Sequence, residues 1–316
     1  MTDLRARVGS VVLPNPVMTA AGTSGHGAEL ADFFDLSSIG AVVVKSLCAA
    51  PWPGNPPPRV CQVPGGMLNG VGLQGPGIDA WAAEDLPALS RNGARVVVSI
   101  WGRRVEEYAE VADRLGAALK HGSGGGAVIA VEVNVSCPNL EDRSRMFAHS
   151  AAATAAVIAA SKSCGLPLWA KLSPNTSALV EIAGAALEAG AEALTLVNTL
   201  LGLAIDERTR RVVLGAGGGG LSGPALHSVA LRAVFDCASA YPEAAIVGVG
   251  GIADGAGALR MLLAGASAVQ VGTATLADPR APQRVLAELC RILEGDGTAS
   301  LADVVGAALL EHLESA

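Results

Sequence analysis

Eight short apolar runs, at 16–20, 41–46, 95–99, 129–134, 168–172, 193–197, 245–249 and 268–271, divide this chain into similar units. They are apolar at nearly every position rather than at alternate ones. A strand with that pattern is covered on both faces, as in a parallel sheet under helices. Helical spacing is readable between the runs at 29–36, 104–120, 147–164, 177–189, 224–240 and 255–264, with a last helix from Pro282. In 104–120 the core stripe is Val105, Tyr108, Ala112, Leu115 and Leu119. Strands alternating with helices over 316 residues predict an α/β fold, a (β/α)8 barrel occupying 1–316 as a single domain. An open doubly wound sheet is the alternative. The barrel makes a sharper demand: chemically active side chains should gather where strands end.

They do gather there. The run at 129–134 leads into "NVSCPN" (134–139), a crowded series of amide, hydroxyl, thiol and proline that a core has no use for. The run at 41–46 ends "VVVKS", putting Lys45 and Ser46 at the barrel mouth, and "LWAKLSPN" sets Lys171 among apolar residues. A lysine inside a barrel needs an anion beside it. That anion is either an internal carboxylate or, with two lysines and the amides Asn134, Asn198 and Asn69 nearby, an anionic cofactor and substrate. The last two runs pass into glycine, "VGVGGI" and "VQVGTA", so Gly250, Gly251, Gly272 and Thr273 stand where barrels commonly bind phosphate through backbone N–H groups. Two connections, near 47–79 and 198–221, are too long for simple turns; long loops of this kind carry function.

With 16% charged residues and a net charge of −7, nothing invites nucleic acid or an anionic membrane surface. The opening "MTDLRARVGS" lacks the apolar core of a secretory signal. The small-residue run at 151–160 is shorter than the about 20 residues a bilayer requires. A cytoplasmic protein with neither nucleic-acid nor membrane partner is expected. The six cysteines are scattered without a C-x-x-C pair, which excludes a disulfide framework and a zinc or iron–sulfur ligand set. Five read as small hydrophobes; Cys137, inside "NVSCPN", has different neighbours.

Taken in order, "VVVKS", "GMLNGVGLQGPG", "NVSCPN", "WAKLSPN", "VNTLLG", "GGLSGPAL", "VGVGGI" and "GASAVQVGTA" resemble class 1 dihydroorotate dehydrogenases over nearly the whole chain. The "NTLLG…GGLSGPAL" portion looks most like the class 1B catalytic subunit. The resemblance implies an FMN enzyme that oxidises dihydroorotate to orotate in pyrimidine synthesis. It places flavin contacts at Ala21, Gly22, Lys45, Ser46, Ser99, Asn134, Lys171, Val197, Gly223, Gly250, Gly251, Gly272 and Thr273. Orotate contacts fall on Lys45, Asn69, Gly72, Leu73, Asn134, Asn139, Asn198 and Thr199. Cys137 becomes the base, with Lys45 beside it between flavin and substrate. Class 1B also implies a second subunit carrying FAD and an iron–sulfur cluster and passing electrons to NAD⁺, hence a heterotetramer; class 1A implies a fumarate-reducing homodimer. The N-terminal membrane-associating extension of class 2 is not expected here.

A thiol whose ordinary pKa is about 8.5 can serve as that base if neighbouring cations or amides favour the thiolate. Lys171 is expected to stabilise charge near N1–O2 of reduced flavin. Some positions depart from the family pattern: Ser99 and Gly75 stand where asparagines are usual, and "LEDRSRMFAH" is more charged and poorer in glycine than the family's lid. Three rivals follow from the same residues: a dihydropyrimidine dehydrogenase-like barrel acting on uracil or thymine, a flavin-binding subunit without catalysis, and an aldolase using Lys171 as a Schiff base.

Overall fold

The computed structural model describes residues 2–122, 124–139 and 145–309. Eight parallel strands form the predicted barrel: β1 (Val17–Thr19), β2 (Val42–Val43), β3 (Val96–Ile100), β4 (Val128–Asn134), β5 (Leu168–Lys171), β6 (Ala193–Leu196), β7 (Ala245–Val249) and β8 (Ala268–Val271). Each lies beside its neighbour in sequence, and β8 pairs with β1. Gly40 N to Val17 O (2.7 Å) and Thr19 N to Ala41 O (3.2 Å) complete the ring between β1 and β2. The doubly wound alternative is thereby excluded. Register sets Lys171 level with Asn134 on one side and Thr195 on the other, so polar side chains of adjacent strands share one layer.

Around the barrel run α1 (Ile78–Arg91), α2 (Val105–His121), α3 (Ala151–Ser161), α4 (Leu179–Glu188), α5 (His227–Ala240), α6 (Gly255–Leu263), the short α7 (Thr273–Ala277) and α8 (Ala281–Gly295). Of the α2 stripe, Tyr108, Ala112 and Leu115 are fully buried, joined by Val111, while Val105 and Leu119 pack partly buried against the core. Each of the larger aliphatic side chains contributes about 1.5–3 kcal/mol by leaving water.

Two elements differ from expectation. Segment 29–36 is not one helix but two 3₁₀ turns, Glu29–Asp32 and Leu36–Ser38; Asp35 takes an extended backbone and its carboxylate accepts from Ser37 N, starting the second turn afresh. Helix α1 falls partly inside the supposed 47–79 loop. Gly77 before it and Pro87 within it hide its helical spacing.

The two long connections are not independent loops. Leu200–Gly202, Gly219–Ser222, Gly66–Asn69 and Val60–Val63 pair in that order as an antiparallel sheet. Glycine makes the pairing possible: a Cβ on Gly66 would strike the Ser222 carbonyl, and one on Gly220 would strike Thr199.

Candidate active site

At the C-terminal ends of the strands, polar side chains join into one hydrogen-bonded chain. Ser46 Oγ lies 2.8 Å from Ser99 Oγ, Asn134 Nδ2 donates to Ser46 Oγ at 3.3 Å, and Asn198 Nδ2 donates to Asn134 Oδ1 at 3.1 Å. Asn134 Oδ1 also accepts from Ser136 N at 3.1 Å, which fixes the amide's orientation and starts the loop toward Cys137. Thr199 N in turn donates to Asn198 Oδ1 (2.8 Å). Four strands thus contribute to one line of amides and hydroxyls. Ser99, which stands where the family pattern has asparagine, keeps its place in it through Ser46.

The loop sheet brings in a second group. Asn69 Nδ2 donates to Gly220 O at 3.2 Å, and Gly220 lies against Thr199, so Asn69 reaches the β6 end. Beside it Gly72 (φ 73°) and Leu73 (φ 60°) both hold left-handed backbone. Leu73 has a side chain there, and residues kept in such sparsely populated regions concentrate at functional sites. Gly22, in the turn after β1, would place a Cβ 4.0 Å from Lys45 Nζ. Burial, with Arg59 nearby, pushes the Lys45 ammonium below its ordinary pKa.

Gly223, Gly250 and Gly251 have φ of 100°, 137° and 67°. A Cβ on Gly251 would sit 2.7 Å from His227 Cβ and 2.9 Å from Gly223 O; one on Gly250 would sit 2.6 Å from Ala230 Cβ. Gly272 precedes α7, and Thr273 Oγ1 bonds Ser222 Oγ at 2.8 Å. The structure therefore brings together the backbone of β7, β8 and the Gly219–Ser222 strand, which sequence spacing had only suggested. Val197, buried, follows β6 on the same rim.

Lys171 departs from the reading that favoured an anionic ligand as its partner. Its ammonium is 3.0 Å from Glu132 Oε1 and 3.4 Å from Gln270 Oε1, while Gln270 Nε2 donates to Glu132 Oε2 at 2.7 Å. All three are buried. The compensating charge comes from inside the barrel, because β4 and β5 are neighbours and β8 faces them across the interior. Sequence reading missed Glu132 and Gln270; an acid in "VEV" and an amide in "VQV" were the available signal.

Cys137 also departs from expectation. No lysine or amide lowers its pKa; burial pushes the thiol up to about 12, a hydrogen bond with Tyr108 acts in the opposite direction, and Cys48 and Glu107 add to the rise. Its Sγ is 3.6 Å from Asn134 O, an oxygen that also accepts from the Tyr108 hydroxyl at 2.7 Å. Phe147 N donates to Cys137 O at 3.3 Å. Of the expected orotate contacts, Asn139 has only its backbone described, paired with Arg145; its side chain, and residues 140–144 of the charged loop, lie outside the described residues.

Comparison with known proteins decides the family. The family described as dihydroorotate dehydrogenase matches residues 3–293. The chain belongs to the dihydroorotate dehydrogenase family. It is 45% identical over 306 residues to a Geobacter sp. (strain M21) protein named dihydroorotate dehydrogenase B (NAD(+)), catalytic subunit, covering 96% of this chain and 98% of that one. A Pelobacter propionicus protein of the same name shows the same identity and coverage. A Solibacter usitatus relative, 45% identical over 305 residues, is provisionally named dihydroorotate dehydrogenase A (fumarate). A crystal structure of the Eimeria tenella dihydroorotate dehydrogenase with ferulenol has the same fold, at a TM-score of 0.78 and 24% identity over 96% of this chain and 88% of that one. Dihydroorotate dehydrogenases of the B type are thus prominent among its relatives, as the "NTLLG…GGLSGPAL" portion implies. Among the described residues, no helix is long and apolar enough to cross a membrane, and no three His, Cys, Asp or Glu are grouped to hold a metal.

Proposed function

We propose that this chain, acting as a single FMN-binding barrel in the cytoplasm, oxidises dihydroorotate to orotate for pyrimidine synthesis, with Cys137 as the base. The observation that carries the proposal is the line Ser99–Ser46–Asn134–Asn198 running into the Cys137 loop, in a chain related along its length to enzymes named for that reaction. A planar pyrimidine with a carboxylate suits amides that present donors and acceptors in one layer, with Asn69, Gly72, Leu73 and Thr199 closing the other side.

The residues present also suit FMN. Its phosphate fits the close-packed glycine rim at Gly223, Gly250, Gly251 and Gly272, with Thr273 adding a hydroxyl. Ala21, Gly22, Ser46, Ser99, Asn134 and Val197 would hold the rest of the flavin, and Lys171, paired with Glu132, would offer it a positive charge. Bound FMN supplies the hydride acceptor. The protein's part is proton management: the C5–H bond breaks, its proton joins the Cys137 sulfur, and the electron pair becomes the C5–C6 double bond as hydride leaves C6. Lys45, partly buried beside Gly22, positions the substrate between cofactor and base.

The partner we propose is a second subunit carrying FAD and an iron–sulfur cluster, with the chain assembled either as a homodimer or as a heterotetramer with it. The decisive experiment is anaerobic: add dihydroorotate to the purified yellow protein and follow the flavin band. Bleaching in the wild type and its loss near neutral pH in Cys137→Ala, with orotate still bound, is the expected result. A fully active Cys137→Ala removes Cys137 from its role, and bleaching by dihydrouracil but not dihydroorotate transfers the enzyme to the uracil-acting type.

A further inference from the structure

The base proposed above sits in a site that opposes its own ionisation. Cys137 is 1% exposed, its Sγ lies 3.6 Å from the Asn134 carbonyl oxygen, and the titratable groups acting on it from neighbouring elements, Cys48 from the 47–79 connection and Glu107 from α2, both resist a negative charge there. A carbonyl oxygen cannot donate to a thiolate. The Tyr108 hydroxyl, which can donate, converges with the sulfur on that same oxygen: it lies 2.7 Å from Asn134 O, and Sγ lies 3.6 Å from it.

Tyr108 is held for this task by packing. It is fully buried on the inward face of α2, its ring meets Phe147 edge-on at 5.5 Å and 86°, and Phe147 is bonded through its N–H to the Cys137 carbonyl. The hydroxyl therefore moves with the loop that carries the thiol. Its acceptor is Asn134 O at 2.7 Å, the oxygen that also lies 3.6 Å from the sulfur. While Cys137 holds its proton, S–H and the phenol O–H both donate to Asn134 O. Once the proton leaves, rotation about one C–O bond brings the phenol proton to sulfur.

We propose that Tyr108 is a positioning residue for the proton-accepting thiol, a hydroxyl that switches from the Asn134 carbonyl to the Cys137 sulfur when the sulfur becomes an anion. The proposal rests on Cys137 being the base. It gives Tyr108 work that packing alone would not: the hydroxyl, not the ring, sets the pH at which the enzyme becomes competent.

The test exploits a composition of only two tyrosines. The other, Tyr241, donates to Val180 O at the end of α5, so Tyr241→Phe leaves Tyr108 as the single site for 3-fluorotyrosine, a more acidic and stronger donor of nearly the same shape. Two readouts are taken on FMN-loaded protein across pH: anaerobic single-turnover flavin reduction by dihydroorotate, and, without substrate, the rate at which a small methanethiosulfonate modifies Cys137, read by peptide mass. With fluorotyrosine both profiles shift to lower pH. With Tyr108→Phe both shift up, the reactive fraction at fixed pH falling about tenfold or more, while the high-pH plateau and orotate affinity are retained. Unshifted profiles in both proteins overturn the proposal, as does a Tyr108→Phe whose rate drops equally at every pH. If Tyr108→Phe does not fold, the fluorotyrosine protein decides alone. Cys137→Ala separates the two ideas: full activity there refutes the base itself, whereas a dead Cys137→Ala with unmoved Tyr108 profiles refutes only the switch.

Discussion

Glu132 shows what a single residue can hide. Its place in "VIAVEVN" carries the same signal as Lys171, a charge among apolar residues that needs an opposite one, but neither residue names the other. The two are 39 positions apart, and only the β4–β5 register brings them within 3.0 Å. Cys137 is the converse case. Its motif was legible, but its environment was not, because burial, with Cys48 and Glu107, pushes the thiol up and no cation among the described residues acts on it. Ser46, Asn134 and Asn198 were legible because polar groups at strand ends have few uses besides ligands. Removing half of a buried pair strands the other half, so Glu132→Ala is expected to lose about 3–5 kcal/mol in urea unfolding of the FMN-free protein. Glu132→Leu combined with Lys171→Met should regain most of that stability and still bind FMN poorly. If the losses of Glu132→Leu alone and Lys171→Met alone simply add in the double variant, the ion pair is not the reason Lys171 is there.

At the scale of elements, the strands were easy and the connections were not. β7 and β8 have the bounds their apolar runs predict, since both faces of a barrel strand are covered and the run ends where cover ends. Helix α1 was missed because local spacing competes with Gly77 and Pro87. The sheet formed by the two long connections was out of reach, because its partners are joined by long-range pairing that neither segment encodes alone. The glycine rim at β7–β8 lies between these cases: order along the chain suggested it, and backbone geometry makes it testable. In Gly251→Ala a side chain would occupy φ 67° and press on His227, costing about 1–2 kcal/mol for the backbone alone. Titrating the cofactor-free protein with FMN and with riboflavin should show FMN affinity falling by roughly tenfold or more, a loss of about 1.4 kcal/mol or greater, with riboflavin affected less. Equal losses for both ligands would place the phosphate elsewhere.

For the whole molecule the open variable is where the electrons go. In the reading proposed above, barrel and strand-end site serve hydride transfer from the substrate, and onward transfer is either to a small acceptor at the same site or to a second subunit. Relatives named for the NAD(+) type, as catalytic subunits, are prominent at 42–45% identity, and one at 45% is provisionally named for the fumarate type. Physical chemistry offers a choice. NAD⁺ takes a hydride at a nicotinamide carbon and needs its own dinucleotide site, whereas fumarate is a small dicarboxylate that could enter the proposed orotate site and meet the amides of Asn134 and Asn198, which bond each other there. The chain alone, reduced anaerobically by dihydroorotate, should therefore stay reduced when NAD⁺ is added and reoxidise with NAD⁺ only after an FAD- and iron–sulfur-bearing subunit is supplied. Stopped-flow recovery of the flavin band measures this directly. Rapid reoxidation of the isolated chain by fumarate, inhibited competitively by orotate, would instead assign it to the A type and make the second subunit unnecessary.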